Sequence, residues 1–190
     1  MRTKLKLSFN APVTLYFVSA CFIATLLGWV TGGLANRWLF STYRSSLLSP
    51  LTYLRFFTHV LGHSGWQHFI GNASYLLLLG PMLEEKHSSA RLLKIILATA
   101  FITGAVNYLL FPRVALCGAS CVVFAFILLT SFTGFREGEI PLTFVLVAVI
   151  FIGQQVIEGI TVRDNVSNFS HIIGGVVGSV LGYYLNIRSK

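Results

Sequence analysis

The sequence predicts an all-α, polytopic membrane protein with six spanning helices and a non-spanning segment after the first. Three observations carry that expectation. Hydrophobic residues make up 55% of the 190 residues and charged ones 11%, where a soluble domain carries about 25% charged. Too few charges remain to clothe a water-facing surface. The apolar residues gather into runs near 13–35, 66–83, 92–111, 115–134, 140–160 and 169–187, each close to the ~20 residues a helix needs to cross a bilayer. The charges cluster mostly between these runs, as the ends of spans require.

The first run follows Arg2, Lys4 and Lys6, as a secretory signal would. It is longer than a signal's apolar core and five more runs follow, so it reads as a retained span in one membrane domain covering residues 1–190. Residues 36–65 mix Trp38, Phe40, Tyr43, Tyr53, Phe56 and Phe57 with Arg37, Arg44 and Arg55. That mixture suits a segment lying in the membrane interface rather than crossing it. Glu84-Glu85-Lys86 closes the second span, and Phe135-Arg136-Glu137 separates the fourth from the fifth. The stretch near 160–168 is polar, with Thr161, Arg163, Asp164, Asn165, Ser167 and Asn168, and reads as a loop able to gate a neighbouring site.

Charge asymmetry sets the orientation. With the N-terminus inside, nine Lys and Arg face the cytoplasm (Arg2, Lys4, Lys6, Lys86, Arg91, Lys94, Arg136, Arg188 and Lys190). Five face outward: Arg37, Arg44, Arg55, Arg113 and Arg163. Both termini are therefore expected in the cytoplasm. The net charge of +8 is then mainly a topology signal. No contiguous basic face interleaved with aromatics points to nucleic acid. No internal repeat favours an inverted-repeat transporter. Cys21, Cys117 and Cys121 sit in apolar runs, an odd number with no disulfide framework.

Polar side chains inside spans are costly and point to function. Here they are His59, His63, His68 and Asn72 around the start of the second span, Ser120 in the fourth and His171 in the sixth. His68 and Asn72 are four apart and share a helix face. Both can donate a hydrogen bond to one point, as stabilisation of a tetrahedral oxyanion demands. Ser120 would then be the nucleophile, with His171 as the general base. Taken alone, Ser120 between small residues is a packing serine and His171 an interior histidine; their company changes the reading. Glu158 and Asp164 lie near the outer face, and neither stands in a span as a third member, so a Ser–His dyad is expected. Gly174, Gly178 and Gly182 repeat every four residues after His171. Such a stripe lets two membrane helices approach closely, and Gly118-Ala119-Ser120 offers the facing surface.

These residues together resemble the rhomboid intramembrane serine proteases. The resemblance runs from about Arg55 to Tyr184 and its elements stand in order: Arg55-Phe-Phe-Thr-His59, His63, His68 and Asn72, Glu84, Gly118-Ala-Ser120, then His171, Gly174 and Gly178. It implies a six-helix bundle in which a Ser120–His171 dyad cuts transmembrane protein substrates near the outer face. Its oxyanion hole would use His68, Asn72 and the Ser120 N–H. It also implies structural support from Arg55, His59, His63 and Glu84, and an aromatic ring, Phe124, against His171. A multi-pass protein of a bacterial plasma membrane is the corresponding localisation.

Two residues depart from the family pattern. Cys121 stands where the motif Gly-x-Ser-Gly ends in glycine, and Leu54 where a Trp precedes Arg55. Cys121 is expected to sit at the closest helix contact, and it makes an inactive chain that binds transmembrane helices the alternative reading. His59 and His63 are four apart, as zinc ligands often are, but no Glu between them completes a zincin motif. Neither a metal nor a cofactor is expected, and the chemistry requires none.

Overall fold

A computed structural model describes residues 8–131, 139–140, 142–161 and 165–187. Among them lie eight helices and no strand beyond one isolated bridge. Helix α1 (Pro12–Val30) starts with proline in its first turn, where the missing N–H costs nothing. It stops short of the expected end near 35, because Gly32 and Gly33 adopt φ of 59° and 89°, a left-handed turn that glycine makes without strain. The chain then forms α2 (Leu34–Leu39) and α3 (Pro50–Thr58), so the segment 36–65 holds most of one short helix and all of another. Ser49 and Pro50 mark the start of α3.

The longer helices follow: α4 (Trp66–His87), α5 (Ser89–Leu110), α6 (Ser120–Ser131), α7 (Leu142–Thr161) and α8 (Asn165–Ile187). By length and composition, Pro12–Val30 and Ser89–Leu110 are the two described helices apolar enough to cross a membrane. Two boundaries differ from the apolar runs in a way that matters. Helix α6 begins at Ser120 rather than near 115, since Leu116 exchanges backbone hydrogen bonds with Thr42 at 2.9 Å each and Gly118 turns at φ 132°. Helix α7 runs to Thr161 and α8 begins at Asn165, so 160–161 and 165–168 of the expected polar loop are helical, and 162–164 lie outside the described residues.

Helix α6 stands at the centre, packed by α4, α5, α7 and α8. Cys121, Val122, Val123, Ala125, Phe126, Leu128 and Leu129 are all buried, and a helix apolar all round belongs in an interior. The outer surface is also apolar: Phe22, Ile23, Leu26 and Leu27 of α1 and Leu93, Leu97 and Phe101 of α5 are exposed. Polar groups lie within, among them Thr14, Thr25, His59, His63, Asn72, Glu84, Thr103 and Asn107. An apolar exterior around a polar interior suits a surrounding of lipid.

Candidate active site

The starts of α4 and α6 and the second turn of α8 meet at one cavity. His68 is in the first turn of α4, Ser120 opens α6, and His171 lies in the second turn of α8. The cavity measures ≈ 440 Å³, and His68, Asn72, Ser120, Phe124 and His171 all line it. The first N–H groups of each helix lack intrahelical partners, and the helix dipoles place partial positive charge there. The starts of α4 and α6 thus favour negative charge in the cavity.

Ser120 is held from several sides. The Gly118 N–H donates to the His59 carbonyl at 2.9 Å, and the Ala119 carbonyl receives the Val122 and Val123 N–H groups at 2.9 and 3.0 Å. Gly118 is required twice over. Its φ of 132° disfavours any side chain, and a Cβ there would come within 2.8 Å of His68 Cε1 and 3.0 Å of its Nε2. The Nε2 edge of His68 therefore faces the turn that carries Ser120.

Ser120 Oγ and His171 Nε2 lie 2.7 Å apart, although 51 residues separate them in the chain. Gly174 and Gly178 make this approach possible. A Cβ on Gly174 would overlap the Cys121 carbonyl, and one on Gly178 the Ala125 carbonyl. The Phe124 ring stacks on His171, with centroids 4.5 Å apart and planes at 7°, which limits the imidazole to one orientation. Asn72 is buried, and among the described residues its Nδ2 has no partner. Asn72 lines the same cavity as Ser120. Glu158 and Asp164 fall outside the side chains that are described.

The Cys121 thiol does not lie between α6 and α8. It is buried against α5, with Sγ 3.6 Å from Thr103 Oγ1. Helix α8 meets the Cys121 backbone instead, so the side chain adds nothing to the α6–α8 spacing.

A family comparison bears on this geometry: the Rhomboid domain model matches residues 50–188. The chain belongs to the rhomboid family. Among curated relatives, Rhomboid-related protein 2 of Mus musculus is 28% identical over 194 residues, covering 90% of this chain and 63% of that protein. Rhomboid-related protein 1 of Caenorhabditis elegans is 30% identical over 138 residues, covering 68% of this chain and 39% of that protein. Rhomboid protease GlpG of Yersinia pestis is 26% identical over 180 residues, covering 91% and 62%. The chain spans less than two thirds of the length of each. Rhomboids are multi-pass membrane proteins, in keeping with the apolar helices seen here.

The four remaining residues of the rhomboid pattern lie around the cavity rather than in it. Arg55 donates from Nε to the Leu51 carbonyl (3.0 Å) and from an Nη to Ser45 Oγ (3.2 Å), with its guanidinium 4.4 Å from the centre of the Tyr43 ring. It ties α3 to residues 43–45. His59 donates from Nε2 to the Ala100 carbonyl of α5 at 3.0 Å. His63 donates from Nδ1 to the Leu61 carbonyl at 3.1 Å, and the same nitrogen lies 3.3 Å from Thr25 Oγ1 of α1. Both histidines sit in the turn between α3 and α4, where burial pushes them down to about 4. Glu84 accepts from the Val13 and Thr14 N–H groups and the Thr14 hydroxyl at 2.9–3.0 Å. It caps α1 from a different helix, where the dipole favours a carboxylate. Among the described residues, no group of His, Cys, Asp and Glu is arranged to hold a metal.

Sequence reasoning missed Gln67, Tyr75 and Ile127, which also line the cavity, and Ser64, whose Oγ lies 3.1 Å from His68 Nδ1. Helical spacing could have found two of them. Gln67, Gly71 and Tyr75 recur every four residues beside His68 and Asn72.

Proposed function

We propose that the protein is an intramembrane serine endopeptidase that cuts transmembrane protein substrates near the outer membrane face. The observation that carries this reading is the 2.7 Å separation of Ser120 Oγ and His171 Nε2 in a cavity shared with His68 and Asn72. Ser120 Oγ attacks the scissile carbonyl carbon while its proton passes to His171 Nε2. The carbonyl oxygen, now negative, takes hydrogen bonds from the Ser120 N–H, Asn72 Nδ2 and His68 Nε2. Collapse of the tetrahedral species expels the amine, which receives its proton from His171. A water molecule, activated by the same imidazole, then releases the acyl group from Ser120.

In this reading α1, α4, α5, α6, α7 and α8 are six spans of a single domain, with both termini cytoplasmic and the α2–α3 segment at the outer interface. The convergence of helix N-termini then faces outward. The alternative, a chain that binds transmembrane helices without cutting them, draws no support from Cys121, whose thiol is turned toward Thr103.

The test is cleavage of a single-pass transmembrane substrate by purified protein in liposomes, with a fluorophosphonate as active-serine probe. Wild type should cut once near the outer interface and label at Ser120. Ser120→Ala and His171→Ala should each abolish cleavage, and a chelator should leave it unchanged. Equal cutting by Ser120→Ala and wild type would overturn the reading.

A further inference from the structure

We infer that Ser64 is a positioning residue that sets which nitrogen of His68 carries the ring proton, an inference that rests on the peptidase reading above. A neutral imidazole has one N–H and one lone pair. To stabilise an oxyanion beside Ser120, His68 must present N–H at Nε2, so its Nδ1 must be the acceptor. The opposite tautomer would aim a lone pair at the developing negative charge.

The two edges of the His68 ring have different surroundings. The Nε2 edge faces Gly118, where a built Cβ would lie 3.0 Å from Nε2 and 3.8 Å from Ser120 Oγ. The Nδ1 edge meets Ser64 Oγ at 3.1 Å, the one hydrogen-bond partner of His68 among the described residues. Ser64 has no other side-chain partner there, so its hydroxyl proton is available to Nδ1. The neighbouring His63 ring, 5.0 Å away and tilted at 74°, cannot take this role. Its own proton is committed at Nδ1 to the Leu61 carbonyl, and its Nε2 is left as a bare acceptor with no partner among the described residues.

Ser64 is itself held in place. Asn36 of α2 donates from Nδ2 to the His63 carbonyl at 2.6 Å, fixing the peptide bond that leads into Ser64. Two residues later α4 begins, so Ser64 lies just outside the helix and reaches back over its first turn to His68. Helix α2 thereby reaches His68 through two hydrogen bonds, Asn36 to His63 and Ser64 to His68, joined by the His63–Ser64 peptide bond.

The decisive comparison is Ser64→Thr, which keeps the hydroxyl, with Ser64→Val, which has the same shape without it. Ser64→Thr should cleave within about twofold of wild type. Ser64→Val should lose roughly tenfold in kcat with little change in KM, less than the roughly 10²–10³-fold expected when a whole oxyanion donor is removed. Nitrogen-15 spectra of histidine-labelled protein in detergent give a second readout. His68 should carry its proton on Nε2 in wild type and in Ser64→Thr, and a mixture of tautomers in Ser64→Val. Equal kcat for the Thr and Val variants, or a wild-type His68 protonated at Nδ1, would overturn the inference. The spectra do not depend on cleavage, so an inert wild type would defeat the peptidase reading while leaving the tautomer assignment to be decided.

Discussion

Gly174 of α8 rests on the backbone of Cys121 of α6, with no room for a Cβ between them. The contact lies three residues from His171 and one from Ser120, so it sets the distance across which a proton would move. Gly174→Ala should separate the two helices, lowering cleavage at least about tenfold. Overpacking should also reduce stability by about 1–3 kcal/mol. Cleavage rate and thermal unfolding in detergent would check both.

Phe124 holds the His171 ring by stacking. Aromatic pairs of this kind contribute about 1 kcal/mol beyond their burial. Phe124→Leu should therefore lower kcat about fivefold and leave fluorophosphonate labelling of Ser120 detectable. A loss as complete as that of His171→Ala would mean that the ring does more than orient its neighbour.

Cys121 bears on stability rather than on rate. Its side chain is buried against Thr103, and glycine in a helix costs up to about 1 kcal/mol relative to alanine. Cys121→Gly should destabilise the protein by about 2 kcal/mol once the lost burial is added, with cleavage within threefold of wild type. Melting curves and initial rates on one preparation would separate the two effects.

His59 and His63 make the fold sensitive to acid. Burial is the main cause that moves each from an ordinary 6.5 down to about 4. Between those values the unfolded chain binds protons that the folded chain refuses, so stability rises with pH. It is fully present above about pH 6.5 and drains as pH falls toward 4, on the order of 2 kcal/mol per histidine by pH 5. The unfolding temperature should drop between pH 7 and 5, and His59→Asn should remove roughly half of that dependence, leaving the part due to His63.

Glu84 supplies two oxygens to the start of α1. Glu84→Ala would orphan buried N–H groups and should cost about 3 kcal/mol. Cleavage at low temperature should survive, because no atom of Glu84 lines the cavity. A shift in KM without a loss of stability would contradict this account.

The long helices could be read from the chain because burial in lipid rewards sustained apolar runs, whatever the tertiary contacts. Helices α2 and α3 could not, since they are short and their aromatic content suits several conformations. The start of α6 was hidden for another reason. Nothing local distinguishes Leu116 from Val122, and only the pairing of Leu116 with Thr42, far away in sequence, draws 115–119 out of the helix. The nearness of Ser120 and His171 was accessible through the four-residue glycine spacing, which translates directly into a helix face. Ser64 was not, because its contact with His68 depends on two side-chain rotamers at a helix start.

The carboxylate that closes α1 belongs to a residue made about seventy positions later. During synthesis α1 therefore emerges without this cap, and it stays so until α4 has been made and packs beside it. Threonine 14 and Gly80 leave no space for a Cβ between them, so the two helices must arrive in a single register before the cap can form. The capped α1 is thus a joint product of two separate stretches of translation, and a ribosome paused between them would leave it incomplete.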